Sequence, residues 1–223
     1  MGPVLLLAAT GGASPGSAAG SPVNGAGAAA EVGDTTSQGA PSPPPRVRSG
    51  LVVGLSLGAG MGRGWGYPNN SNDIGKTDYA SSGEMPGFGG TLMVMGALAD
   101  YFDFGFWFAQ ESFRGGGQRA SEVGGGLRVE VFPFVLSLPR IAGFGAFSEF
   151  GLGTGRLDTP GLPQAGGTQS FIGVGVLYEW SVGHLLGGHF GVGPSLEYDA
   201  VFTQPYSGGG VIASLRFVFA GGP

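Results

Sequence analysis

The chain has 223 residues, of which 49 are glycine and 11% are charged, and it carries a formal net charge of −5 with no cysteine. Soluble proteins average roughly 25% charged residues and about 7% glycine. The acidic balance argues against a nucleic-acid partner, and the lack of cysteine excludes disulfides and thiolate metal sites. No window of 18 apolar residues occurs, which excludes a transmembrane helix, although the mean hydropathy of +0.20 is high.

The first 49 residues differ in composition from the rest of the chain, being mostly Ala, Gly, Ser and Pro. Residues 1–30 are predicted to be a signal-like segment, because the apolar stretch at 4–9 is followed by small residues and by the candidate cleavage site at 28–30. No basic residue precedes that stretch, so the segment is either a truncated signal or a disordered tail. Residues 31–49, which include Pro41–Pro45, are predicted to form a disordered linker.

The first predicted strand, Leu51–Met61, alternates apolar residues with Gly and Ser. Soluble sheets place charged residues opposite an apolar face, whereas here the second face is small and weakly polar. This pattern is typical of a narrow barrel whose apolar wall faces lipid and whose small residues face inward. Closed barrels and helices are the only structures that satisfy the backbone in lipid.

Seven further segments of about ten residues repeat the alternation, separated by turn-rich stretches. They are Phe88–Ala99, Phe102–Phe113, Glu122–Phe132, Phe144–Gly155, Gln169–Trp180, His189–Tyr198 and Gly210–Phe219. The sequence therefore predicts an all-β fold, a single eight-stranded antiparallel up-and-down transmembrane barrel over residues 50–219, with a short tail at 220–223. Medium loops are expected at 114–121, 156–168 and 199–209, and a turn at 181–188.

The third strand carries the clearest outward face, because its phenylalanines repeat at every second position. In water such a row would be an aggregation hazard, whereas lipid accommodates it. The residues predicted to face lipid across all strands include Leu55, Leu57, Phe104, Phe106, Phe108, Val129, Val174, Val176, Leu215 and Phe217.

The charged residues within the predicted strands fall almost entirely on the glycine face. The predicted interior contains Asp103, Glu111, Arg128, Glu130, Glu149, Glu179, Glu197 and Arg216. We expect the two arginines to pair with some of the glutamates, since a buried charge needs a partner. The favoured interpretation is a salt-bridge network that fills the lumen, and the alternative is a polar channel or proton path.

Catalysis and cofactor binding find little support in the sequence. His189, Ser195 and Glu197 are the components of a hydrolytic triad, but six residues on one extended strand span about 20 Å. Two histidines without cysteine are too few for a metal cluster. The glycine runs at 115–117 and 124–126 lack the following helix and Lys-Ser/Thr of a phosphate loop. We therefore expect no enzyme activity, no cofactor and no metal.

The chain resembles the small eight-stranded outer-membrane barrels of the OmpA/OmpX type. The resemblance covers residues 50–219 and rests on the alternating strands, on the segment at 125–134 and on the last strand, which ends at Phe219. It implies a bacterial outer-membrane location, lipid contact and a C-terminal signal at Phe219 that barrel-assembly machinery reads. Residues 220–223 follow that aromatic residue, whereas the family usually stops there.

The function expected from this resemblance is a structural, adhesive or interaction role through extracellular loops and an unidentified extracellular partner. One alternative is a narrow channel or carrier for small or hydrophobic solutes. A second is a lipid-modifying enzyme, which requires His and Ser close together at one rim. A soluble ligand-binding barrel is the least favoured, because it needs a polar exterior and an apolar lumen.

Overall fold

A computed structural model describes residues 50–67, 79–185, 187–203 and 205–221. The predicted signal-like segment (1–30) and linker (31–49) lie outside the described residues. The strands are β1 (Gly50–Gly66), β2 (Ala80–Ser81), β3 (Met85–Ala99), β4 (Phe102–Gly115), β5 (Gln118–Val131), β6 (Phe144–Asp158), β7 (Ala165–Tyr178), β8 (Trp180–Leu185), β9 (Gly188–Phe202) and β10 (Tyr206–Gly221). A single 3-10 turn, Pro139–Ile141, precedes β6.

The strands close into an antiparallel barrel of eight wall strands. The order is β10-β1-β3-β4-β5-β6-β7-β9, and β9 pairs with β10 to complete the ring. Strands β7 and β8 form one wall strand, since β7 pairs with the second half of β9 and β8 with its first half. Strand β2 pairs only with the last two residues of β1. The predicted fold class, an eight-stranded antiparallel barrel, is confirmed.

Both described chain ends, Gly50 and Gly221, lie at one rim of the barrel, which we call the termini end. The opposite rim, the far end, is formed by the ends of β1, β4, β6 and β9 and the starts of β3, β5, β7 and β10. Each predicted strand coincides with a wall strand, and most wall strands extend further toward the far end than predicted.

The connections at the far end are shorter than expected. The medium loop predicted at 114–121 is wrong, because β4 and β5 are joined only by Gly116 and Gly117, whose φ angles are 58° and 81°. A two-residue hairpin turn of type I′ needs positive φ at both positions, which glycine adopts without strain. At the termini end, the segment 181–188, expected to be a turn, carries most of β8.

Alternation along every wall strand separates an outer apolar surface from a filled interior. Outward side chains such as Leu57, Phe106 and Leu152 are more than half exposed, at 55%, 66% and 65%. Inward positions are buried and are occupied by glycine, aromatic, aliphatic and charged residues. In the part of the chain that the structure describes, no helix has the length and apolar character needed to cross a membrane.

Candidate functional site: the barrel interior

Glycines in the wall make room for aromatic side chains in the lumen. A Cβ atom added at Gly62 would lie 2.7 Å from the Phe113 ring, and one at Gly210 would lie 2.9 Å from it. A Cβ atom added at Gly124 would likewise lie 2.6 Å from the Phe171 ring. An eight-stranded barrel is only wide enough for side chains. The large rings therefore require partners without side chains, which accounts for much of the glycine on the inner face.

An ion-pair network occupies the middle of the lumen. Arg216 forms a two-pronged contact with Glu130, with Nη1 to Oε1 at 2.5 Å and Nη2 to Oε2 at 2.7 Å. Arg128 donates through Nε to Glu130 Oε1 at 2.7 Å and through Nη1 to Glu149. The Arg128 guanidinium also stacks 3.7 Å from the centre of the Phe147 ring. The predicted pairing of both arginines with glutamates is present.

A second group of carboxylates lies between this network and the far end. It comprises Glu111, Glu122, Glu197 and Asp199, all of them buried. Tyr206 donates to Glu122 Oε1 at 2.6 Å, across 84 residues of sequence. Glu111, Glu197 and Asp199 line one small space together with Glu149.

Acidic groups outnumber basic ones in this interior. Among the described residues the buried charged side chains are seven carboxylates and two arginines: Asp103, Glu111, Glu122, Glu130, Glu149, Glu197, Asp199, Arg128 and Arg216. No group of three or more potential ligands within the described segments is arranged to hold a metal ion.

Apolar layers close both ends of the charged lumen. At the far end the layer includes Met85, Phe113, Leu157 and Val201, each at most 1% exposed. At the termini end it comprises Val52, Met93, Met95, Val218, Phe132, Phe147 and Leu177. A small space within the network, lined by Trp107, Phe171 and four carboxylates, has a volume of about 10 Å³, which is enough for about one water molecule. Over the described residues the interior is thus filled by buried side chains.

The structure places most of the predicted lumen residues together. Asp103, Arg128, Glu130, Glu149, Glu197 and Arg216 are all at most 8% exposed. Glu179 differs, because it is partly exposed and lies near Gly191 toward the termini end, in the break between β7 and β8. Three interior residues, Glu122, Asp199 and Tyr206, were not anticipated. Glu122 is the first residue of its predicted strand and shares the parity of Arg128, whereas Asp199 and Tyr206 lie one and four residues beyond the predicted ends of their strands.

The outward residues lie where the alternation placed them. Leu55, Leu57, Phe104, Phe106, Phe108, Val174, Val176 and Leu215 are exposed on the outer wall. Val129 and Phe217 are partly exposed on the same surface. Phe219 lies in β10 opposite Val53 and Phe190.

The histidines and the serine considered for catalysis do not assemble. His189 and Ser195 are inward positions on the same strand, six residues apart. The imidazole of His189 lies instead against that of His184, with ring centres 4.2 Å apart near the termini end.

The chain is thus a closed eight-stranded β-barrel with an apolar outer wall and a charged, filled interior, which confirms the fold that the resemblance implied. Similar solved structures include Neisserial surface protein A, 14% identical, with 75% of this chain and 96% of that chain covered and a TM-score of 0.42. Ail, the attachment invasion locus protein of Yersinia pestis, is 12% identical, with 76% and 99% covered and a TM-score of 0.41.

The N-terminal β-barrel domain of Pseudomonas aeruginosa OprF is 12% identical, with 76% of this chain and 98% of that chain covered and a TM-score of 0.38. No family model matches the chain, and no curated protein does.

Proposed function

We propose that the chain is an outer-membrane β-barrel that acts through its far end as a structural or interaction protein. The observation that carries this proposal is the continuous apolar outer wall. Phe106 is paired across its two neighbouring strands with Val94 and Leu127, so the apolar surface runs without a break from β3 to β5. The largest exposed apolar patch on a soluble monomer is about 300–600 Å². A lipid environment removes the cost of exposing this wall.

Folding into detergent or lipid tests the membrane part of the proposal. The full chain is expected to migrate differently on a gel before and after boiling, because a closed barrel resists detergent unfolding until it is heated. Vesicle-inserted barrel is expected to resist added protease. Identical migration with and without boiling, together with complete digestion in vesicles, would contradict membrane insertion.

The filled lumen favours an interaction role over transport. Two apolar layers enclose an ion-pair network, so an ion would have to displace buried charges to pass. We expect no stepwise conductance when the folded chain is added to planar bilayers. Reproducible conductance steps from folded protein would support the channel alternative and contradict this assignment.

A further inference from the structure

The arginines outside the lumen are concentrated at the far end of the barrel. In the described ranges, four of the five arginines that are not buried lie there, namely Arg63, Arg114, Arg119 and Arg156, while Arg140 lies at the termini end. This distribution is the reverse of the acidic interior. A basic rim on an apolar outer wall is positioned to meet anionic groups at the surface of a membrane.

The outer faces of β4 and β6 change in character in the same order toward the far end. On β4 the outward residues run from Phe108 through Gln110 to Arg114, and on β6 from Leu152 through Thr154 to Arg156. Each two-residue step advances about 7 Å along a strand. Apolar, hydrogen-bonding and cationic side chains therefore follow one another from mid-strand to the far end, in the order of the acyl, polar and phosphate layers of a membrane leaflet.

A polar pocket of about 580 Å³ lies on this surface between β4 and β7. Its polar lining consists of Gln110, Arg119, Ser121, Thr154, Arg156 and Gln164, and none of its lining residues is acidic. Arginines, hydroxyls and amides are the groups that bind phosphate oxygens. The pocket also touches Val123, at the level where the apolar wall begins.

The charges beside the pocket are incompletely balanced. Arg114 and Arg119 are directly opposite each other in the β4–β5 register, and like charges in that arrangement are destabilising. Arg119 Nε is buried without a hydrogen-bond partner. The nearby carboxylate, Asp158, is directly opposite Arg119 in the β5–β6 register, accepts a hydrogen bond from Gln164 at 2.6 Å and lies 3.9 Å from Arg156 Nε. One aspartate does not neutralise three arginines, so the site has capacity for an anion.

We propose that this pocket binds the phosphorylated headgroup of a membrane glycolipid, with Arg119 and Arg156 contacting the phosphate and the acyl chains lying along the wall below. This proposal rests on the membrane location proposed above. It assigns the barrel a specific lipid partner, in addition to the general solvation of the wall by lipid.

The test measures glycolipid binding to the folded full chain in detergent micelles by native mass spectrometry. The probe is a bis-phosphorylated, acylated disaccharide, compared with the same compound after removal of its phosphates. We expect the phosphorylated form to bind roughly tenfold more tightly, the size expected for a charge-assisted hydrogen bond. The double variant R119Q/R156Q is expected to lose that preference, and the single variant R156Q to lose part of it. The matched control R140Q, an exposed arginine outside the pocket, is expected to bind like the wild type.

Three results would overturn the proposal. They are equal binding of both glycolipid forms, unchanged binding by R119Q/R156Q, and displacement of the glycolipid by inorganic phosphate at comparable concentration, which would indicate a small-anion site. Heat-modifiable migration of each variant shows that it is folded. A barrel that folds and inserts but shows no phosphate preference contradicts only this inference, whereas failure to insert contradicts the proposed function itself.

Discussion

Glu130 is the residue on which the interior ion pairs converge, because its carboxylate accepts hydrogen bonds from both buried arginines. The substitution E130Q preserves its size and removes its charge, which leaves Arg216 buried without a carboxylate partner. Breaking a buried pair from one side costs about 3–5 kcal/mol. We expect the free energy of unfolding, measured by urea titration in vesicles, to fall by that amount.

The control for this variant is D158N at the far end. Asp158 lies 3.9 Å from Arg156, and both side chains are about half exposed. Such pairs contribute about 0–1 kcal/mol. Equal effects of E130Q and D158N would show that the lumen is hydrated and that its charges are solvated, contrary to the packing described.

The contact between Gly62 and the Phe113 ring allows a second prediction. The Phe113 ring is in close contact with Gly62 and Gly210, so it has little room to move when a methyl group is added. Overpacking of this kind costs about 1–3 kcal/mol. We expect G62A to lower the free energy of unfolding accordingly, and the cost of G62A to fall sharply in an F113L background.

The matched glycine-to-alanine control is G183A. No atom lies within 4 Å of a Cβ atom at Gly183, so this variant is expected to stay within about 0.5 kcal/mol of wild type. A double-mutant cycle that shows no coupling between positions 62 and 113 would contradict the close-packing account of the glycine content.

Parity along the strands predicted the side on which the interior residues lie, but the strands were predicted too short at the far end. The outer face of β4 changes there from Phe108 to Gln110 and Ser112, so the apolar alternation that marks a strand is lost. Glu122 and Asp199 lie at that level. The sequence alone therefore underestimates the number of buried acids, because the signal that separates inside from outside depends on the apolar face.

At the scale of a strand, β4 provides the test of the outer wall. Phe106 is 66% exposed at mid-strand, and Gln110 is exposed four residues nearer the far end. An arginine at the bilayer midplane costs about 2–4 kcal/mol, and one near the interface costs about 0–1 kcal/mol. We expect F106R to lower the free energy of unfolding in vesicles much more than Q110R does. Similar effects of the two variants would contradict placement of mid-strand β4 in lipid.

Strands and turns differ in how well the sequence predicts them. The eight wall strands follow from a two-residue period sustained over about ten residues. The β4–β5 connection does not follow from this period, because the sequence of Gly115–Gly117 is compatible with either a loop or a two-residue turn. In the structure the pairing of β4 with β5 continues through Arg114 and Arg119. Arg119 also pairs with Asp158 of β6, a contact between residues far apart in sequence. Three consecutive glycines have the same conformational freedom, so the sequence does not show which two of them form the turn.

Across the whole barrel, charges of opposite sign are concentrated in the interior and on the outside. Inside, carboxylates predominate, and the two buried arginines pair with Glu130 and Glu149. Outside the lumen, four of the five described arginines lie at the far end. The net charge of −5 conceals this separation, which appears only when residues are assigned to faces. Both the filled lumen and the pocket at the far end therefore depend on which side chains face inward and which face outward.

Cysteine labelling tests that assignment directly, because the natural chain contains no cysteine. Ser56 and Leu57 are neighbours in β1, yet Ser56 is 5% exposed in the interior and Leu57 is 55% exposed on the outer wall. Gln164 is exposed in the β6–β7 connection at the far end. In vesicles we expect a water-soluble maleimide to label Q164C only, a lipophilic maleimide to label L57C as well, and neither to label S56C until the barrel is unfolded. Positions 56 and 57 are consecutive in β1 and lie at nearly the same depth in the membrane. A difference in their labelling therefore reports which face of the strand each one occupies. Rapid labelling of S56C by the water-soluble reagent would mean an open lumen, and similar labelling of L57C would place the apolar wall in water.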